Sequence, residues 1–189
     1  MTKETLCNAL NYINASREKR SEMATTILSQ PTLIPLLVQI MKDDMDPISC
    51  KASWVLEFVA KDDINHIYLV IEPFLDALPF LSLESSIRPA SKICEMLVDN
   101  HYNGGQLDSK LTKAQINTIA EIAFDWLIGE HKVATKAYSM TILLLTGKTI
   151  IWIHEELEQI LKQNYENGSA AYKARARMTL KSLKKLKNN

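Results

Sequence analysis

Apolar residues recur every three to four positions over most of this chain, with polar residues between them. Leu6, Leu10 and Ile13 form the first stripe, and a mostly polar segment follows from about residue 16 to residue 29. Apolar positions with this spacing share one face of an α-helix, whereas a half-buried strand alternates with a period of two. The pattern predicts an all-α protein of about ten helices, arranged as five antiparallel pairs.

Four stretches of the sequence can be aligned with one another, and each opens with an alanine. They are residues 52–59, 90–97, 137–144 and 176–183. The leading alanines are 38, 47 and 39 residues apart. A unit that recurs at this length is typical of stacked helix pairs. A globular ten-helix bundle is the alternative, and it explains the periodicity but not the recurrence of alanine.

Local signals mark several helix ends. Asp46 followed by Pro47 predicts an N-cap and a first helical residue. Thr112 with Gln115 predicts a capping box. Gly147 predicts the C-terminus of a helix.

Two segments interrupt the helical pattern. Pro73 lies in the middle of an apolar stretch, so we expect a kink or a break there. Residues 101–111, which include Asn103-Gly104-Gly105, are the least regular part of the chain and are predicted to form a loop.

Charge is balanced overall but unevenly distributed. The chain has 189 residues, 47% of them hydrophobic, with 22 Lys+Arg and 22 Asp+Glu. A net charge of zero does not favour a nucleic-acid or membrane partner for the chain as a whole. Residues 167–189, however, carry seven basic side chains and no acidic one. They form either a solvated terminal helix whose cations suit its dipole, or a basic edge for nucleic acid or an acidic partner.

Cysteine usage and hydropathy bear on the compartment. Cys7, Cys50 and Cys94 have no CxxC spacing and are odd in number, which is typical of a reducing compartment. The first residues do not have the pattern of a signal peptide. No apolar run reaches the roughly 18 residues that a membrane span needs. We expect a cytoplasmic protein with no membrane partner.

The aligned segments resemble the second helices of the HEAT/armadillo family of α-helical repeats, over roughly residues 31–187. The resemblance implies a right-handed α-α superhelix, a solenoid of about five antiparallel helix pairs. It implies a single domain over residues 1–189, with residues 1–30 as an N-terminal capping pair and residues 31–187 as repeats. Arrays of this kind bind partners on an extended concave surface.

A second resemblance is to a group of small bacterial proteins that often carry the label adenylosuccinate lyase. The segments that carry it are residues 14–20, 46–52, 124–127, 136–140 and 171–177. The serine loop of that enzyme family, Ser-Ser-x-Met-Pro-x-Lys-x-Asn-Pro, has no match here. Residues 84–89 share only Ser-Ser and a proline with it. No catalytic residue of that enzyme family can therefore be carried over to this chain.

The second helices of the predicted pairs offer the best candidate surface. With the leading alanines in the core, the 100° step of a helix places other residues on the opposite face. The residues predicted to bind a ligand there are Trp54, Glu57, Lys61, Arg88, Lys92, Glu95, Asp99, Ser139, Lys181 and Lys185. An exposed tryptophan among mixed charges is typical of the centre of a protein-binding patch.

The three tryptophans allow other placements. The alternative for Trp54 is that it packs against a neighbouring helix. Trp126 and Trp152 are expected to lie in the core.

No motif for catalysis, a cofactor or a metal accompanies these residues. The four histidines lack metal-ligand spacing, and Thr146-Gly147-Lys148-Thr149 lacks the first glycine of a phosphate-binding loop. We therefore predict no cofactor. We predict a non-catalytic scaffold, monomeric or weakly dimeric, that binds a protein or peptide on its concave face. Nucleic-acid binding through the basic C-terminal helix and an enzymatic activity are the alternatives.

Overall fold

The computed structural model describes residues 1–104 and 110–187, and every regular element in these two ranges is helical. The prediction of an all-α protein is thereby confirmed. The α-helices are α1 (Lys3–Leu10), α2 (Arg17–Ser29), α3 (Ile34–Lys42), α4 (Ile48–Asp62), α5 (Asn65–Tyr68), α6 (Ile71–Ala77), α7 (Glu84–Asp99), α8 (Lys113–Ile128), α9 (Val133–Thr146), α10 (Trp152–Tyr165) and α11 (Ala170–Lys187). Short 3-10 turns cover Pro31–Leu33 and Leu78–Phe80.

The break expected near Pro73 is present, and it divides the apolar stretch into two helices. Helix α5 ends at Tyr68, and Val70 takes a backbone conformation outside the helical region, with φ of −124° and ψ of 24°. Helix α6 then begins at Ile71. Pro73 therefore lies in the first turn of α6, where its missing N–H costs no helical hydrogen bond.

The chain divides into two compact units, one over Met1–Met96 and one that begins at Leu97. In the first unit, α3 packs on α1, α4 and α6, and α2 packs on α4. Fully buried side chains fill this core, among them Leu10, Ile27, Leu37, Leu56 and Phe74. The single domain over residues 1–189, with a capping pair at 1–30, stays a prediction.

In the second unit, α9 contacts α8, α10 and α11, and α10 also packs on α11. Its core includes the fully buried Leu127, Leu143, Leu157 and Leu161. Because α9 has neighbours on several sides, the polar residues Thr135, Ser139 and Thr146 are buried together with its apolar ones.

The leading alanines of the aligned segments lie where helices approach one another. Ala52, Ala90 and Ala176 are fully buried, while Ala137 is half-buried. A methyl side chain at such a position lets a neighbouring helix come close. Three of the four alanines thus occupy the core position that the alignment assigned to them.

The local signals for helix ends have mixed outcomes. The Thr112–Gln115 capping box is formed in both directions, and Gly147 ends α9, as predicted. The N-cap prediction for Asp46 is wrong. Helix α4 begins at Ile48 with Pro47 before it, and the Asp46 carboxylate accepts a bond from the Cys50 thiol at 3.5 Å instead.

The predicted loop at 101–111 is partly helical. Asn100–Gly104 forms a π-helical turn, contrary to prediction, and residues 105–109 lie outside the described part of the chain. The Leu111 N–H donates to Nδ1 of His101 at 3.1 Å, which ties the two ends of the segment together.

Among the described residues, no single helix is long and apolar enough to cross a membrane. The consecutive segments Arg17–Ser29 and Pro31–Lys42 meet the length and composition criteria only when taken together, and they are bent by 108° at their junction.

Candidate interaction surface

Trp54 is the centre of a charged and aromatic surface built by α2, α4 and α7 of the first unit. It lies two residues after the buried Ala52, so the helical step turns its side chain away from the core and leaves it half-exposed. Its indole Nε1 donates a hydrogen bond to the backbone carbonyl of Ser85 at 2.8 Å. The Arg20 guanidinium lies over its ring, 4.2 Å from the ring centre.

Glu57 lies one turn further along α4 and is bound by cations from two helices. Lys61 contacts its Oε1 at 2.6 Å from within α4, and Nη2 of Arg88 contacts its Oε2 at 2.9 Å from α7. Glu57 is only 3% exposed. A buried carboxylate requires this pairing, since leaving water without a partner is costly.

The charge of Arg20 belongs to the same cluster. Burial lowers the pKa of its guanidinium and so does the nearby Arg88, while Glu57 acts in the opposite direction. Arginine starts from so high a pKa that Arg20 stays charged at neutral pH. Glu57 therefore neutralises part of a group of three cations rather than forming one isolated pair.

Lys92 and Glu95 extend the surface along α7. They form an ion pair three residues apart, with Glu95 largely buried, and they follow Arg88 on the same helical face. We call the set of Arg20, Trp54, Glu57, Lys61, Arg88, Lys92 and Glu95 the Trp54 surface. It contains six of the ten residues that the sequence nominated.

The other four nominated residues belong to the second unit. Asp99 is exposed and accepts a bond from the Asn103 amide at 2.8 Å. Lys181 and Lys185 are exposed on α11. Ser139 is fully buried, and its hydroxyl donates to the Thr135 carbonyl at 3.1 Å.

The predicted exposure of Ser139, Glu57 and Glu95 is therefore wrong. Ser139 is enclosed because α9 is packed on several sides, so its polar face is not a surface. The two glutamates are covered because neighbouring cations fold over them.

Sequence reasoning did not nominate Arg20 or the Ser85 carbonyl. One signal for the second was present. Pro89 lies inside the helical pattern of α7, and it has no N–H for the carbonyl four residues earlier, which is that of Ser85. An orphaned carbonyl requires an outside donor or water, and Trp54 supplies that donor.

The remaining tryptophans differ from each other. Trp126 is buried, as expected. Trp152 is 57% exposed, so the expectation that it lies in the core is wrong. Its ring stacks on Phe124 at 5.6 Å, so the partly exposed Phe124 on α8 shields one of its faces.

Several cations of the basic helix α11 are bound by protein groups. Arg175 points inward and donates to the Ala137 carbonyl and the Thr141 hydroxyl. Lys187 pairs with Glu158. Arg177, Lys181, Lys184 and Lys185 remain exposed.

Within residues 1–104 and 110–187, no group of three or more His, Cys, Asp or Glu side chains is placed to hold a metal ion. The sequence matches no protein-family model, and no curated protein or solved structure is similar enough to this chain to count as a match.

Proposed function

We propose that this protein is a non-catalytic interaction module of the HEAT/armadillo type, which binds a protein or peptide segment on the Trp54 surface. Helix adjacency in the first unit supports the repeat architecture. There α1 contacts α3, and α3 contacts α6. In the same way α2 contacts α4, and side chains of α4 contact α7. A stack of helix pairs produces these two parallel rows, because each pair buries its apolar flank on the next.

The observation that carries the proposal is the arrangement around Trp54. A half-exposed indole donates its N–H to the Ser85 carbonyl, and Arg20 lies over one face of its ring. Side chains that are already ordered lose little entropy when a partner binds. Tryptophan and arginine are also the residue types that contribute most to binding energy at interfaces.

The charges on this surface favour an acidic partner segment. Arg20, Lys61, Arg88 and Lys92 supply four cations, whereas Glu57 and Glu95 supply two anions that are themselves buried. The exposed part of the surface is therefore basic. Carboxylates of a peptide would pair with it, while an apolar residue would contact the exposed part of the Trp54 ring.

A peptide-display selection tests the proposal. A random library is selected on the wild-type protein and counter-selected on Trp54→Ala. Enriched peptides should be acidic and contain an apolar residue. They should bind about tenfold more weakly to Trp54→Ala and to Lys92→Glu, the typical loss when a central contact is removed.

Lys181→Glu makes the same charge change on an exposed residue of α11 and should leave peptide binding unaltered. Circular dichroism checks that each variant is folded. Selected peptides that bind all folded variants equally would place the site elsewhere, and the absence of any enrichment would contradict the proposal.

Nucleic-acid binding through α11 is the second candidate, because Arg177, Lys181 and Lys184 share one exposed face of that helix at spacings of four and three residues. Fluorescence anisotropy with labelled duplex and single-stranded DNA and RNA tests it. Binding through these cations should weaken steeply with salt and fall in Lys181→Glu. If no binding is measurable even at low salt, this candidate is eliminated.

A further inference from the structure

A small pocket in the second unit has the features of an anion site, and it is separate from the Trp54 surface. It has a volume of about 290 Å³ and lies where the start of α9, the end of α10 and the start of α11 meet. His131 and Lys136 line it from the α9 side, Asn164 from α10, and Ser169 and Tyr172 from α11. None of the described residues that line it is acidic.

The Tyr172 hydroxyl is the unusual group in this pocket. Tyr172 is 6% exposed, and its oxygen is buried without a hydrogen-bond partner among the described residues. Burial raises the pKa of the Tyr172 hydroxyl, and the nearby Asn164 amide opposes this rise. The hydroxyl and the amide nevertheless do not form a hydrogen bond of good geometry. A buried, unsatisfied donor at the wall of a pocket is costly unless a ligand accepts a hydrogen bond from it.

The start of α11 adds positive potential to the same place. Ser169 is the N-cap of this helix, since its hydroxyl accepts the Tyr172 N–H at 3.3 Å and its carbonyl accepts the Lys173 N–H at 2.9 Å. The N-terminus of a helix attracts anions. Lys136 supplies a full positive charge from the facing wall.

Gly168 permits this arrangement. A Cβ at position 168 would collide with the Tyr172 ring, whose Cγ would be 3.1 Å away. The ring therefore lies against the backbone of the turn before α11. Any larger residue at 168 would displace the ring and move its hydroxyl away from the wall.

We infer that this pocket binds a small oxyanion, the phosphate or carboxylate group of a small molecule, with Lys136 and the Tyr172 hydroxyl as the two side chains that contact it. Lysine binds phosphate as a point charge, and a phenol O–H donates to an anionic oxygen more strongly than to a neutral one. The volume is at the lower end of ligand pockets and suits a group of this size rather than a large cofactor.

The test is an NMR titration of the full chain with three probes: inorganic phosphate, glycerol phosphate and acetate. Sodium chloride holds the ionic strength constant, so that general screening does not imitate binding. We expect at least one probe to cause saturable shifts of the Gly168, Ser169 and Tyr172 amides. Saturable shifts caused by phosphate and glycerol phosphate identify a phosphate site, whereas shifts caused by acetate alone identify a carboxylate site.

Two variants and one control locate the contacts. Lys136→Gln and Tyr172→Phe should each weaken binding of the effective probe by about tenfold, since each removes a charge-assisted hydrogen bond. Lys181→Gln changes an exposed residue on the same helix as Tyr172 and should not alter binding of the probe.

Thermal unfolding separates binding from a structural role. Because the Tyr172 hydroxyl has no hydrogen-bond partner among the described residues, Tyr172→Phe should not lower the thermal unfolding midpoint of the unliganded protein. The increase in that midpoint that the probe causes should nevertheless shrink. The inference is overturned if no probe gives saturable shifts, or if binding persists unchanged in both variants.

Discussion

The indole N–H of Trp54 donates to the Ser85 carbonyl at 2.8 Å, and this is the carbonyl that Pro89 leaves without a helical partner. A proline at position 89 cannot donate the bond that residue i+4 of a helix normally provides. The defect in α7 is thus satisfied by a side chain of α4, thirty-one residues earlier in the chain. The residue at the centre of the candidate surface is also a structural link between two helices.

A double-mutant cycle measures this link. Trp54→Phe keeps an aromatic ring but removes the N–H, and it should lower the free energy of unfolding by about 1 kcal/mol. In the Pro89→Ala background the new backbone N–H can serve the Ser85 carbonyl, so the same change should cost less. We expect a coupling energy of about 0.5–1 kcal/mol from urea unfolding of the four proteins.

The cycle cancels what each substitution does alone, including the volume that Pro89→Ala removes from a buried position. Additive costs, with no coupling beyond experimental error, would show that the Trp54–Ser85 bond does not compensate for the proline.

Glu57→Gln tests the charge balance of the Trp54 surface. The amide keeps the shape of the side chain but removes the charge that Lys61 and Arg88 share, so the three cations then repel one another. We expect a loss of about 1–2 kcal/mol in the free energy of unfolding. The larger cost of breaking a fully buried pair does not apply, because the Lys61 and Arg88 side chains are 37% and 34% exposed.

Glu121→Gln is the matched control, since Glu121 is exposed on α8. Its effect on urea unfolding should stay within about 0.5 kcal/mol. Equal effects of the two substitutions would mean that Glu57 contributes no more than a surface carboxylate.

Those features of the fold that depend on neighbours in sequence were predictable. The capping box at Thr112 and the helix end at Gly147 depend on residues within one turn, and both are present. Asp46 has the residue type of an N-cap, but its carboxylate lies by Cys50 and the helix begins two residues later. Residue type alone could not distinguish these two arrangements.

The site was predictable along each helix but not between helices. Helical spacing placed Trp54, Glu57 and Lys61 on one face, and the structure keeps them together. Arg20 was missed because its contact with Trp54 depends on how α2 packs against α4, which no local pattern records. Ser139 was misplaced for the converse reason: α9 is surrounded by other helices, so its polar positions do not mark a surface.

Gly147 makes a close approach that an alanine would disturb. A Cβ at this position would collide with the His154 ring. The Nε2 of that ring is hydrogen-bonded to the Leu144 carbonyl at 2.9 Å. Gly147→Ala should therefore displace the ring and lower the free energy of unfolding by about 1–3 kcal/mol. Gly104→Ala is the control, since no atom of the described residues lies within 4 Å of its added Cβ, and it should be neutral or slightly stabilising in the same urea experiment.

If both glycine variants unfold like the wild type, the His154 ring moves at no cost and its bond to Leu144 contributes nothing to stability.

Glu158 makes stability depend on acid pH. Hydrogen bonds from Lys162 and Lys187 lower the pKa of its carboxyl to about 2. The unfolded carboxyl has a pKa of ~4.3, so the folded state gains stability above that pH and loses it as the pH falls through the folded pKa. Because both lysines are exposed, solvent screens these ion pairs, so the gain should be small.

Urea unfolding at several pH values, with Glu158→Gln as the comparison, measures the contribution of the charged Glu158 to stability. The difference between the two proteins should be constant near neutral pH and shrink from pH ~4.3 towards ~2. A difference that does not change over this range would show that the two lysines do not hold the charged form.

The three cysteines should differ sharply in reactivity, because only a thiolate that solvent can reach attacks a disulfide reagent. Cys94 is fully buried, and burial raises the pKa of its thiol. Burial also raises the pKa of Cys50, with a smaller contribution from Asp46, whereas Cys7 is half-exposed.

With a chromogenic aromatic disulfide at neutral pH, we expect one thiol to react quickly in the native protein and all three in urea. Cys7→Ser should abolish the fast phase, and a fast phase that survives it would mean that Cys50 or Cys94 is accessible through opening of the first unit.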